Sequence, residues 1–265
     1  MLADKEQILN KYETGCEEGR AERSRSESLE FHYTKRHLSN FIKPDSRVIE
    51  LGCGTGYYGM YFADKCAEYF GVDLVPGQIE IFRSKIASAG LKNVNCAVGD
   101  ATDLSKIGDD SYDVVLCLGP MYHLSPEERE KCFAECARIC KPGGVAAFAY
   151  ITVCGVYAGA CIYFSDRYPN ELTNNNVFKL GTDDLRPGIF WFVSPEEIER
   201  EAGAFGFEKL DDLGTDFFIL SEIVNGMDDE AFELIRPLYD RMTTSGSCTG
   251  LSNHALLICR KADKE

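Results

Sequence analysis

Positive charge is what this 265-residue chain has too little of: 28 Lys and Arg stand against 43 Asp and Glu, a formal net charge of −15. Nucleic-acid binding depends on neutralising phosphates with Lys and Arg, so this balance argues against a nucleic-acid partner and favours a small molecule. An apolar leader is missing too, since Met1-Leu2-Ala3-Asp4-Lys5-Glu6 has no h-region. With no such segment, most of the twelve cysteines, scattered through apparent strands and helices, read as reduced, buried, small apolar side chains of a cytoplasmic protein, not as a disulfide framework. There is no internal repeat and no low-complexity tract. The length suits one large α/β domain with insertions, or a domain plus a small lid.

Two features need weighing against this soluble reading. Gly143 to Phe164 contains no charged residue and is long enough to span a bilayer. However, Lys141-Pro142-Gly143-Gly144 is a helix stop and turn, and Val145 to Thr152 has the look of a buried strand. A strand followed by an apolar lid element is therefore expected, with no membrane span. Cys132, Cys136 and Cys140 share one helical face. They fit a core stripe with Phe133 and Ile139, and a thiolate site for a metal or an arsenical is the alternative. The expected chemistry requires no metal.

Strand and helix signals alternate along the chain. Strands are expected at Arg47 to Leu51, Glu68 to Val72, Val94 to Val98, Asp113 to Leu118 and Val145 to Thr152. Helices are expected at Ser28 to Ile42, Tyr57 to Cys66, Pro76 to Ala89 and Ser125 to Cys140, the last opening with an N-cap serine and a first-turn proline. This order implies a parallel sheet with right-handed crossovers. From Gly155 to Gly188 the pattern breaks into aromatics, prolines and Asn174-Asn175-Asn176, which reads as an insertion. Beyond it come a helix from Ser194 to Ala204, a strand from Phe207 to Leu213, a helix from Asp228 to Met242 and a last strand from His254 to Cys259. The domain reading is a helical lid segment at 1–43 and a main domain at 44–265, with insertions at about 153–190 and 221–252.

The chemistry sits where Val48-Ile49-Glu50-Leu51 runs into Gly52-Cys53-Gly54-Thr55-Gly56. Glycines at a strand's carboxyl end let main chain approach a ligand where a Cβ would collide. Gly54-x-Gly56-x-x-Gly59 also satisfies the dinucleotide fingerprint, so an NAD(P)-dependent oxidoreductase is an alternative. Asp73 closes the next strand, where a carboxylate can accept from ribose hydroxyls. Two further signals separate the readings: Val98-Gly99-Asp100-Ala101 after the third strand, and Tyr112 to Pro120 at the fourth.

With these four matches in order across Val48 to Leu124, the chain resembles the class I S-adenosylmethionine-dependent methyltransferases. Glu17-Glu18-Gly19-Arg20, Leu29-Glu30-Phe31, Leu118 to Leu124 and Gly250-Leu251-Ser252-Asn253-His254 look like a bacterial small-molecule group of the type 11/25 kind. The resemblance implies a Rossmann-like, doubly wound, seven-stranded sheet, mostly parallel with an antiparallel last strand, plus helical lid insertions. It implies S-adenosylmethionine as cofactor, S-adenosylhomocysteine as product and a small-molecule acceptor. By position, Gly52, Gly54 and Gly56 would wrap the methionine part, with Glu50 and the Leu118 carbonyl at its ammonium. Asp73 would hold the ribose, Leu74 would lie against adenine, and Asp100 with the Ala101 N–H would meet the adenine edge. A non-catalytic S-adenosylmethionine-binding protein is a further alternative.

Methyl transfer from a sulfonium is an in-line displacement, so alignment and water exclusion dominate. His123 and Tyr122, just past the fourth strand, are the candidate base and pocket-shaping residue. Gly119-Pro120-Met121-Tyr122 lacks the side-chain acceptor of the Asn/Asp-Pro-Pro-Tyr motif, which argues against DNA methylation. Tyr157, Tyr163, Phe164, Tyr168, Phe190 and Trp191 are candidate pocket walls or the lid's own core.

Overall fold

Strands form where Val, Ile, Tyr and Phe cluster, and helices form where a capping residue precedes an amphipathic run. The computed structural model describes residues 5–13, 17–182 and 189–263. Its strands are β1 (Arg47–Leu51), β2 (Glu68–Asp73), β3 (Val94–Val98), β4 (Tyr112–Cys117), β5 (Cys140–Thr152), β6 (Phe192–Val193), β7 (Phe207–Gly214) and β8 (His254–Lys261). The helices before the third strand are α1 (Lys5–Tyr12), α2 (Arg20–Arg23), α3 (Arg25–Leu38), α4 (Tyr57–Phe62) and α5 (Pro76–Ala89). Then come α6 (Pro126–Ile139), α7 (Val153–Tyr163), α8 (Glu171–Asn175), α9 (Pro195–Gly203), α10 (Ser221–Gly226), α11 (Asp229–Thr243) and α12 (Gly246–Thr249).

The main sheet runs β3-β2-β1-β4-β5-β8-β7. Its first five strands are parallel, and β8 lies antiparallel between β5 and β7. The expected seven-stranded path is therefore present, and the two-residue β6, pairing with the end of β5, makes an eighth strand. Side-chain alternation sends Ile49, Leu51, Val115 and Cys117 into one core with Phe133 and Ile139 of α6 and Ile198 of α9. Val48, Val114 and Leu116 face the opposite core, with Leu38 of α3, Phe62 of α4 and Phe82 of α5. Because the chain leaves β1 toward β2 on one side and reaches β4 on the other, a crevice opens at the carboxyl ends of these strands.

Several expectations shift. The helix expected at Ser28 to Ile42 is α3, which starts earlier because the Ser24 hydroxyl accepts from the Glu27 N–H. The helix expected at Tyr57 to Cys66 stops at Phe62. The charge-free stretch divides at Thr152, whose hydroxyl accepts from the Gly155 N–H and caps α7. The insertion thus begins as a helix, and no helix among the described residues is long and apolar enough to cross a membrane. The mixed-charge start folds into α1 and α2, helices too short to hold by local hydrogen bonding alone, which Lys5 to Asp100, Tyr12 to His123 and Arg20 to Glu30 fasten to the rest of the chain.

Candidate active site

A cavity of about 430 Å³ occupies the crevice. Its floor is the turn after β1, where Gly52, Gly54 and Gly56 all have positive φ, at 75°, 51° and 83°. The three glycines serve different ends. A Cβ on Gly52 would stand 2.7 Å from Pro120 and 2.9 Å from Gly119 Cα, so this residue lets the β1 turn pass against the β4 turn. A Cβ on Gly54 would meet nothing within 4 Å, which leaves its main chain bare to the cavity. Gly56 is not among the cavity-lining residues. A Cβ there would stand 2.0 Å from Phe82 Cδ2, and one on Gly59 would stand 2.4 Å from Phe82 Cζ. The second half of the glycine spacing therefore seats α4 on α5, and packing, not a pyrophosphate, explains it.

Three acids expected at the site share the cavity: Glu50, Asp73 and Asp100. Asp73 ties the turn together, its Oδ2 accepting from the Gly54 N–H at 2.8 Å and its Oδ1 from the Val75 N–H at 2.9 Å. Burial raises its pKa above the usual aspartate value despite these donors. Glu50 is fully buried and accepts from the Tyr69 hydroxyl at 2.7 Å. Burial, with Asp73 nearby, pushes its pKa up to about 8. Asp100 sits in a small turn, accepting from the Thr102 N–H at 2.9 Å and hydroxyl at 2.8 Å, and pairs with Lys5 of α1 at 2.5 Å. Burial alone would raise its pKa, but the Lys5 ammonium and the Thr102 donors outweigh that and lower it. Leu74, Ala101 and Leu118 line the same cavity.

Tyr122 and His123 follow β4 and also line the cavity. His123 Nδ1 lies 2.6 Å from the Ile189 carbonyl, an acceptor, so the ring proton sits on Nδ1. Its Nε2 lone pair accepts from the Tyr12 hydroxyl at 2.9 Å. Burial lowers the His123 pKa to about 4, so the ring is neutral near pH 7. Tyr122 donates to the Leu118 carbonyl at 3.3 Å, and burial raises its pKa, which keeps the phenol protonated.

The N-terminal segment supplies walls that its polar composition hid. Lys5, Ile8 and Tyr12 of α1, Arg20 of α2, and Glu30 and Phe31 of α3 face the cavity. Arg20 holds Glu17 at 2.8 Å and Glu30 at 3.0 Å over the Phe31 ring. Behind Glu30, His254 Nδ1 lies 3.1 Å from Asp216 and 3.5 Å from Glu30. Burial would depress His254, but the two carboxylates outweigh it and raise its pKa to about 9. Gln78 of α5 donates to the Tyr12 carbonyl at 2.9 Å, while its own buried Oε1 has no partner among the described residues.

The aromatic insertion does not form the expected pocket walls. None of Tyr157, Tyr163, Phe164, Tyr168, Phe190 and Trp191 lines the cavity. Tyr157 packs on Phe178 within the insertion and Tyr163 on Phe218 outside it, while Ile162, Phe164, Leu172, Phe178 and Leu180 stay exposed. Two of the expected walls touch residues that do line the cavity: the Phe190 ring lies tilted 5.2 Å from His123, and the Trp191 N–H donates to the Tyr122 carbonyl at 2.9 Å. Asp113 accepts from the Arg47 N–H and pairs with Lys141, holding the starts of β1 and β5 away from the cavity. Cys132, Cys136 and Cys140 all face the same core as Phe133 and Ile139, as a stripe would; the close cluster of thiols is formed by Cys132 and Cys136 with Cys117 and leaves Cys140 out.

Residues 48–144 match a family model described as a methyltransferase domain. The chain is 33% identical over 116 residues to methyltransferase GfsG of Streptomyces halstedii, covering 43% of this chain and 41% of that protein. It is 31% identical over 177 residues to malonyl-[acyl-carrier protein] O-methyltransferase of Methylococcus capsulatus, covering 66% and 55%. With ubiquinone biosynthesis O-methyltransferase of Thiobacillus denitrificans the identity is 29% over 180 residues, covering 67% and 71%. The chain spans about half the length of the first curated relatives it matches. Among solved structures, a SAM-dependent methyltransferase from Methanosarcina mazei superposes with a TM-score of 0.59 at 16% identity, covering 86% of this chain and 98% of that one. The [4+2]-cyclase SpnF superposes with a TM-score of 0.58 at 17% identity, covering 88% and 81%. At these identities the likeness concerns the fold alone.

Proposed function

We propose that the chain, whose residues 48–144 match a methyltransferase-domain model, is a class I S-adenosylmethionine-dependent methyltransferase that passes a methyl group to a small-molecule acceptor. The observation that carries this reading is one shared cavity containing the bare Gly54 main chain, Glu50, Asp73 and Asp100. The residues fit the cofactor. The buried, unpaired Gln78 Oε1 supplies a further acceptor for hydroxyl or amino hydrogens on the same wall.

In this reading Asp73 accepts from the ribose hydroxyls with the lone pairs that Gly54 and Val75 leave free, and Leu74 packs on the adenine. Asp100 and the Ala101 N–H read the adenine edge, which makes Lys5 a competitor for the Asp100 carboxylate. Gly52, Glu50 and the Leu118 carbonyl hold the methionine end. When bound, S-adenosylmethionine supplies a methyl on an activated sulfonium. The chain's own tasks are then orientation and exclusion of water. The N-terminal segment through α3 covers the cavity and serves the second task. His123 is the candidate base of this reading: Tyr12 occupies its Nε2 and burial lowers its pKa to about 4, so it takes a proton from an acceptor only where that acceptor displaces the Tyr12 hydroxyl. The net charge of −15 disfavours nucleic acid as that acceptor. The names of two relatives favour an oxygen acceptor.

Isothermal calorimetry with S-adenosylhomocysteine tests the reading. Saturable one-to-one binding that Asp73→Asn weakens more than tenfold is expected. No binding of either S-adenosylmethionine or S-adenosylhomocysteine to the folded protein would overturn it.

A further inference from the structure

Three thiols meet in the core beneath the loop from Leu118 to His123. Cys117 ends β4, and Cys132 and Cys136 stand one turn apart on α6. Their sulfurs all lie within 4.8 Å of one another, with Cys117 and Cys132 at 3.7 Å. All three residues are fully buried. Cys140 and Cys259 belong to the same apolar core but lie outside the trio. A metal–sulfur bond of about 2.3 Å places three ligands roughly 3.5–4 Å apart, so the sulfurs already stand near ligating distance.

Charge selects the guest. The trio belongs to an apolar core that also holds Phe133, Ile139 and Phe148, where a guest that leaves no net charge is favoured. Zinc with three thiolates would leave net negative charge in this setting and would want a fourth ligand that the trio does not offer. Monovalent copper would leave more negative charge still. A trivalent centre with three thiolates is neutral.

We propose that Cys117, Cys132 and Cys136 form a buried binding site for a trivalent thiophilic species of the arsenite class. Three arsenic–sulfur bonds form and three arsenic–oxygen bonds break. Each departing hydroxide leaves with one thiol proton as water, and arsenic stays trivalent throughout. The product pins β4 to α6 under the active-site loop. This inference does not depend on the methyltransferase reading.

Native mass spectrometry after incubation of the reduced full chain with sodium arsenite is the test, with a thermal melt in parallel. One arsenic per chain, with loss of three hydrogens and a higher Tm, is expected. Cys132→Ala and Cys136→Ala, each checked for folding by circular dichroism, should lose the adduct. A variant with Cys154, Cys161 and Cys248 replaced by Ala, cysteines with greater access to solvent, should keep it. Absence of an adduct in the unsubstituted chain, or its persistence in the folded Cys132→Ala and Cys136→Ala proteins, would overturn the proposal.

Discussion

Adding one methyl group at Gly54 and one at Gly56 should separate ligand binding from folding two residues apart. At Gly54, φ is 51° and a Cβ meets nothing within 4 Å. The substitution Gly54→Ala therefore costs only the left-handed backbone penalty, roughly 1–2 kcal/mol. Its methyl enters the cavity where the main chain is proposed to touch the cofactor, so affinity for S-adenosylhomocysteine should fall at least tenfold. At Gly56 the same penalty applies at φ 83°, and the new Cβ also stands 2.0, 2.2 and 2.4 Å from three ring atoms of Phe82. Phe82 is fully buried, so relieving the clash displaces α5 and adds about 1–3 kcal/mol of overpacking. Gly56→Ala should thus lose about 2–5 kcal/mol, a large part of an ordinary domain's stability. Urea unfolding gives the two losses, and calorimetry at a temperature where both variants are folded gives the two affinities. The reasoning is refuted if Gly54→Ala binds like the unsubstituted chain, or if Gly56→Ala is no less stable than Gly54→Ala.

Further outcomes follow from individual contacts. Asp73→Asn presents an amide where Gly54 or Val75 donates, so one hydrogen bond to a charged acceptor is lost; a stability loss of about 1.5–3 kcal/mol in urea is expected. The folded pKa of Glu50, about 8, lies above the ordinary glutamate value. Its contribution is complete below that ordinary value and disappears as pH rises through about 8, so the Tm difference between the unsubstituted chain and Glu50→Gln should shift against the former across that window. His123, lowered to about 4, should show an unprotonated Nε2 in nitrogen NMR at pH 6, and its contribution to stability should vanish as pH falls through about 4. Arg129 holds Glu201 through two 2.8 Å bonds and the Leu124 carbonyl through a third. Arg129→Met should cost about 3 kcal/mol in thermal or urea unfolding by stranding that carboxylate.

The parallel half of the sheet was legible because its signals are local. A run such as Val48 to Leu51 has one dominant conformation, and Ser-Pro-Glu-Glu at 125–128 forms the capping box it spells, with Ser125 and Glu128 bonded reciprocally. Glu50, Asp73 and Asp100 were placed together because each sits at or near the carboxyl end of its strand and the topology gathers those ends. Gly56 could not be assigned from sequence, since a positive-φ glycine looks the same there whether a ligand or Phe82 approaches it. An N-terminal lid was expected, but not which of its residues reach the cavity: Lys5, Tyr12 and Arg20 find partners at Asp100, His123 and Glu30. The tertiary pairing of Lys5 and Tyr12, about a hundred residues away along the chain, leaves no periodic trace. Gly19, left-handed at φ 70°, was the one local hint that the chain turns there.

The position of β8 has a consequence for how the molecule is assembled. It bonds along its length to β5 on one side and β7 on the other, although it is the last strand in chain order. During synthesis the five parallel strands can zip together while the far flank of β5 waits for a partner not yet made. Val145 to Ile151, almost wholly apolar, is then an open edge able to recruit a neighbouring chain. Coexpressed chaperones, or slower translation just upstream of residue 254, should therefore change soluble yield more than equilibrium stability.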